Sequence, residues 1–192
     1  MDRIITIHGA GRHGHVVACA ALANGWMVHY TDQKYGTHPD GSLPYIVAIG
    51  DNRLRKSFDG SNMVSVIHPS AYVDPSASLA GGVFVGPQAV VHISAKLGRG
   101  VIVNSGAIVE HDCVLNGWSH LSPGAVLCGD IEVGEGCWIG ANAVVKQGLT
   151  IAPWTIVGCG AVVVKDITEP GTYVGNPAHR LRGSSNEHPV HA

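Results

Sequence analysis

The 192-residue chain has no run of basic residues and a formal net charge of only -2, which disfavours nucleic acid as a partner. It has no apolar run approaching the ~18 residues of a membrane-spanning helix, so no membrane partner is expected. Met1, Asp2 and Arg3 lead directly into a strand pattern, and no signal peptide is expected. The five cysteines, Cys19, Cys113, Cys128, Cys137 and Cys159, are odd in number and include no C-x-x-C pair. Reduced thiols in a cytoplasmic protein follow as the expectation. There is no G-x-S-x-G element and no Cys/His nucleophile spacing, so a covalent acyl-enzyme has no support.

What the chain does have is a period. Every sixth residue from Ile67 to Val163 is Ile, Leu or Val, seventeen positions in unbroken phase. The position two before each is mostly small, as in Ala71, Ala77, Ala89, Ala95, Ala107, Cys113 and Ala125. A fixed six-residue period is the mark of a parallel β-helix, with three hexapeptides to a triangular coil and the aliphatic residue pointing inward. The small residue is expected to let each corner turn tightly. The 26 glycines suit many tight turns.

Ahead of the repeats, residues 3–8 read as a strand, followed at once by Gly9-Ala10-Gly11-Arg12-His13-Gly14 and a helical pattern to about Asn24. Residues 26–31, 44–49 and 63–67 read as further strands, with a short helix after Gly50-Asp51-Asn52. This alternation predicts a parallel α/β unit, a Rossmann-like mononucleotide-binding domain over residues 1–66. The glycine stretch fits G-x-G-x-x-G between strand and helix, where backbone approaches phosphate closely. Asp32 ends the second strand, where a ribose or base contact falls. So short a unit supplies only half of a dinucleotide site, so a nucleotide moiety on a substrate is the better expectation. His68-Pro69 marks the junction. The second domain spans residues 67–182, ending in a segment expected to cap the last coil, and residues 183–192 read as a disordered tail.

Within the repeats, Glu110-His111-Asp112-Cys113 stands out, because a histidine followed by a carboxylate can serve as a base. His120 lies half a coil further on, so in one chain the two histidines face different sides. Packing solenoids about a three-fold axis would bring one chain's His111 near another's His120; the spacing alone equally fits two solvated histidines. Eighteen residues above His111 comes Gly129, which leaves room. Pro123, Ala141 and Cys159 share a column of the kind that forms a groove for a long thin ligand, or plain corner packing. His92, His111 and His120 lack the closely spaced pair expected of the zinc-binding γ-type carbonic anhydrases, so no metal is expected.

The ordered set of motifs resembles the NeuD-like sugar O-/N-acetyltransferases: the opening Gly-Ala-Gly-Arg-His-Gly, Ala48-Ile49-Gly50-Asp51-Asn52, His68-Pro69, Glu110-His111-Asp112-Cys113, Ser119-His120 and Val174-Gly175-Asn176-Pro177-Ala178. Within that family it is most similar to the nucleotide-linked 4-amino-sugar N-acetyltransferases, over residues 3–182. The resemblance implies a left-handed β-helix, a homotrimer and acetyl-CoA as co-substrate. It implies His111 as general base with Asp112 as its acidic partner, where many relatives have Glu. It places His120, Ala141 and Cys159 along acetyl-CoA, and Gly11, Arg12, His13, Asp32 and Gly50 around a nucleotide-linked amino-sugar. Arg12 replaces a residue that is commonly small, and Cys159 stands where glycine is common. O-acetylation of a sugar hydroxyl and a non-enzymatic solenoid scaffold are the competing readings.

Overall fold

The structure, a computed structural model, describes residues 3–181; Arg182 and the expected tail lie outside the described residues. Strands of two residues recur every six, from β4 (Val66–Ile67) to β20 (Val162–Val163). They stack into three parallel sheets of six, six and five strands, the first extended to eight by two strands of the closing segment. Each strand pairs with the one eighteen residues on, as in Ile102 with His120, Ile108 with Val126 and Val114 with Glu132. The solenoid is a left-handed β-helix. The aliphatic residues from Val85 to Val163 are all buried, and Ile67, Val73 and Leu79 are partly buried at the open first coil. Parallel strands covered by neighbours above and below thus form one continuous apolar core.

The corners turn one residue earlier than the small-residue pattern predicts. From Val85 on, the residue three before each inward aliphatic has positive φ, including Asp112 at 60°, Asp130 at 58° and Asn142 at 55° among several glycines. From Gly100 on, its N–H donates to a carbonyl of the coil below, as from Asp112 to Ile93 at 3.1 Å and from Asp130 to His111 at 2.9 Å. Glycine, Asn and Asp tolerate this left-handed conformation best. The small residues, such as Ala107, Cys113 and Ala125, are instead the fully buried side chains beneath the corner.

The N-terminal part corrects the expectation of a Rossmann-like domain. It holds a three-stranded parallel sheet, β1 (Arg3–His8), β2 (Trp26–Thr31) and β3 (Tyr45–Val47), in the order β2-β1-β3. One twelve-residue helix, α1 (Arg12–Ala23), and one of five residues, α2 (Asn52–Lys56), accompany it. Helix makes up only about 11% of the chain. The expected fourth strand does not join this sheet: Met63 makes an isolated bridge to Tyr45, and Val66–Ile67 pairs with Phe84–Val85 as the first rung of the solenoid. The physical reason is size. So few residues bury too little apolar surface alone, and Ile5, Ile7, Val17 and Ala21 share one core with Val66, Phe84 and Ile102 of the solenoid.

The closing segment extends a sheet as well as covering it. β21 (Thr172–Val174) pairs parallel with Ile156–Val157, and β22 (His179–Arg180) returns antiparallel. No described helix is long and apolar enough to cross a membrane.

Candidate active site

His111 and Asp112 occupy a corner between the six- and five-stranded sheets, and the Nδ1 of His111 lies 2.8 Å from Oδ2 of Asp112. The corner explains this geometry. Asp112 takes the left-handed position of its repeat, and the coil above holds the His111 carbonyl through Asp130 N–H. Both side chains are exposed, at 55% and 58%. With Nδ1 turned to a carboxylate, the neutral ring carries its proton there and presents Nε2 as the acceptor. Gly129 lies beside that nitrogen: a Cβ there would stand 2.4 Å from it. Glu110, Cys128, Gly129 and Asp130 line a depression of about 520 Å³ around His111.

His120 is elsewhere. It projects from the outer face of the eight-stranded sheet and is buried. Its Nε2 is 3.3 Å from Asn104 Nδ2, its ring stacks on Trp138 with 6.0 Å between centroids, and the His13 ring lies 6.2 Å away. Ala141 and Cys159 sit at the next corner, in one column joined by the Gly160 N–H to Ala141 carbonyl bond of 2.8 Å. Within one chain the structure therefore does not bring His111 and His120 onto one side. Among the described residues no three His, Cys, Asp or Glu side chains gather to hold a metal ion. All five cysteines are free, and burial pushes the Cys113 and Cys137 thiols up to about 11 and about 12.

The other five expected residues do converge. Gly11, Arg12, His13, Asp32 and Gly50 line one cavity of about 940 Å³, with Gly9, Gln33, Lys34, Ala48, Ile49 and Leu54. Gly11 caps α1 with no side-chain hydrogen bond, so first-turn N–H groups remain for an anion. Gly9 has φ +110°, and a Cβ at Gly14 would fall 1.8 Å from the Gly9 carbonyl oxygen. Those two glycines are required by the turn. Gly11 is not: its φ is -77° and no atom lies within 4 Å of a Cβ there. Asp32 accepts from Ala10 N–H at 2.6 Å and Lys34 N–H at 2.8 Å, and these bonds hold its carboxyl below the usual range. Its first role is to clasp the glycine loop. His13 is half-buried, but its Nε2 is fully buried, with no hydrogen-bond partner among the described residues. Burial and, secondly, the Arg55 cation push its pKa down to about 4.

The residues that sequence reasoning missed are Arg55 and Asn52, both fully buried. Asn52 Nδ2 donates to the Gly136 and Cys137 carbonyls, both at 3.1 Å. Arg55 binds carbonyls on both sides of the junction. The Asp51-Asn52-Arg53 start of a short helix signals a cap, but nothing local signals burial of its cation.

No family model matches the chain. The curated carnitine operon protein CaiE of Proteus sp. (strain LE138) is 35% identical over 71 residues, which is 34% of this chain and 34% of that protein's own length. Among solved structures, the acetyltransferase domain of PglB from Neisseria gonorrhoeae FA1090, in complex with acetyl coenzyme A, is 35% identical. That match covers 94% of this chain and 100% of the other, with a TM-score of 0.87. PerB from Caulobacter crescentus, in complex with CoA and GDP-perosamine, is also 35% identical over 92% of this chain and 96% of its own, with a TM-score of 0.87. Fold and solved relatives together define an acetyl-CoA-dependent acetyltransferase of the hexapeptide-repeat class. The chain belongs to the NeuD-like family of sugar acetyltransferases, on the side of the nucleotide-linked amino-sugar N-acetyltransferases.

Proposed function

We propose that this protein transfers acetyl from acetyl-CoA to the 4-amino group of a UDP- or GDP-linked deoxy-amino-sugar, in the cytoplasm. The observation that carries the reading is the His111–Asp112 pair, bonded at 2.8 Å beside a glycine that leaves the reacting nitrogen open. The PerB complex holds CoA and GDP-perosamine, an amino-sugar nucleotide, which supports that substrate class.

In the proposed reaction the amine nitrogen attacks the thioester carbonyl, and the tetrahedral adduct then expels the CoA thiolate as the C–S bond breaks. His111 Nε2 takes the proton that the amine must lose and passes it to the departing sulfur. Asp112 keeps Nδ1–H oriented and stabilises the imidazolium that forms. The nucleotide lies in the cavity of Gly11, Arg12, His13, Asp32 and Gly50, its diphosphate at the start of α1. Ala141 and Cys159 flank acetyl-CoA. His120 stands at its acetyl end, which agrees with the His13 ring 6.2 Å away, since donor and acceptor must meet.

The active form is a homotrimer. His111 and His120 lie on different sides of one chain, so a joint site needs a neighbour, and three heterologous contacts close a ring. Titration of the purified protein with UDP, GDP and acetyl-CoA tests the reading. One nucleotide and acetyl-CoA are expected to bind independently, and failure of acetyl-CoA to bind would favour a scaffold.

A further inference from the structure

The guanidinium of Arg55 is fully buried and donates its hydrogen bonds to backbone carbonyls, with Asp51 and His13 within electrostatic range. Nη1 donates to Ile49 at 2.8 Å and Gly50 at 3.4 Å, which line the nucleotide cavity. Nε donates to Gly100 at 3.0 Å, and Nη2 to Trp118 at 2.7 Å and Ser119 at 3.4 Å, all on the solenoid. Gly100 and Trp118 are successive left-handed corner residues of one column, and Ser119 precedes His120. The same short helix continues up the column. Asn52 reaches Gly136, the next corner residue, and Arg53 lies 4.2 Å over the ring of Trp154, the one after. A planar five-donor fork is the side chain that can meet carbonyls in two directions at once.

No acidic side chain forms an ion pair with this cation among the described residues. Burial lowers its pKa to about 9, so it is charged at neutral pH. A buried unpaired charge is strongly disfavoured, yet here five carbonyl contacts hold it directly beneath Ile49 and Gly50. A well-packed apolar side chain would close the same junction without that penalty.

We propose that Arg55 is a positioning residue for the nucleotide-sugar: it pins the Ile49–Gly50 wall of the cavity to the solenoid corner that leads into the His120 strand, and its positive charge lies under an anionic ligand. The proposal rests on the reading of that cavity as the nucleotide site. It predicts a split in the kinetics. Arg55→Lys keeps the charge but cannot span both sets of carbonyls, and Arg55→Gln keeps some donors but loses the charge.

The test is steady-state kinetics and acetyl-CoA titration of both variants, with UDP and GDP titrated into the wild type. Arg55→Gln is expected to raise KM for the nucleotide-sugar roughly tenfold or more, the scale of a lost charge-assisted hydrogen bond. Arg55→Lys is expected to raise it less, and the acetyl-CoA Kd should stay within about twofold in both, since the Ala141–Cys159 column proposed to flank the coenzyme takes no hydrogen bond from Arg55. Should Arg55→Gln fail to fold, Arg55→Lys still decides, because a raised KM with an unchanged acetyl-CoA Kd supports the proposal. An unchanged KM in the folded variant, or parallel loss of both ligands, overturns it. Failure of the wild type to bind either nucleotide would instead remove the reading of the cavity.

Discussion

The Nε2 end of the His111 ring lies against Gly129, one coil above, so closely that a Cβ at residue 129 would stand 2.4 Å from that nitrogen. Gly129 does not have the positive φ of the corner glycines, so alanine is tolerated by its backbone. Gly129→Ala should therefore fold and push the imidazole aside. A displacement near 1 Å is worth about 10²-fold in rate. We expect kcat to fall by that order with little change in melting temperature. An unchanged kcat would mean that the position of this ring does not govern the rate.

His111→Ala removes the proposed base and is expected to lower kcat ~10²–10⁴-fold with the acetyl-CoA Kd retained. Asp112→Asn should lower it less, because the amide still occupies the left-handed corner but no longer stabilises the imidazolium. Measured kcat in the order wild type, Asp112→Asn, His111→Ala checks this. A larger loss in Asp112→Asn than in His111→Ala would reverse the assigned roles.

Gly11→Val separates the two ligand sites. Gly11 has ordinary φ, and a Cβ there meets no protein atom within 4 Å, so the added bulk is directed at a bound ligand. KM for the nucleotide-sugar should rise by about tenfold or more, as an anion contact at the helix start is lost, while acetyl-CoA binding and the proposed trimer persist. Titrating both ligands into one preparation reads the split. Equal loss of both would indicate misfolding, and loss of acetyl-CoA alone would exchange the two sites.

His13 makes the fold acid-sensitive. Its folded pKa, about 4, lies below the unfolded value of ~6.5. Between these the unfolded chain binds the extra proton, so stability falls as pH drops through that window. The maximal effect is about 3 kcal/mol. Wild-type melting temperature should drop more steeply from pH 7 to pH 4.5 than that of His13→Gln. Parallel curves would show that His13 titrates freely in the folded protein.

How much was legible in the sequence follows from the range of each signal. The solenoid is written in a strict local period, and every inward residue from Val85 on is buried as the period requires. The His111–Asp112 pair was visible as adjacent letters and Gly11 with Asp32 as a motif with its offset acid, whereas Arg12, His13 and Gly50 came with the family resemblance. The Rossmann-like expectation failed because strand-helix alternation says nothing about which sheet a strand joins, and the 63–67 segment went to the solenoid. Arg55 was unreadable for a related reason. Its partners Gly100 and Trp118 lie 45 and 63 residues away and offer only backbone carbonyls, which carry no side-chain signature.

The most direct test is turnover itself. Purified protein is incubated with acetyl-CoA and matched UDP- and GDP-linked sugars bearing either an amine or a hydroxyl at position 4. Thiol release is followed, and the product bond is identified by NMR. The account predicts rapid thiol release and an amide at the 4-position with one nucleotide series, abolished to background by His111→Ala. Turnover confined to the hydroxyl sugars, or undiminished in His111→Ala, would contradict it.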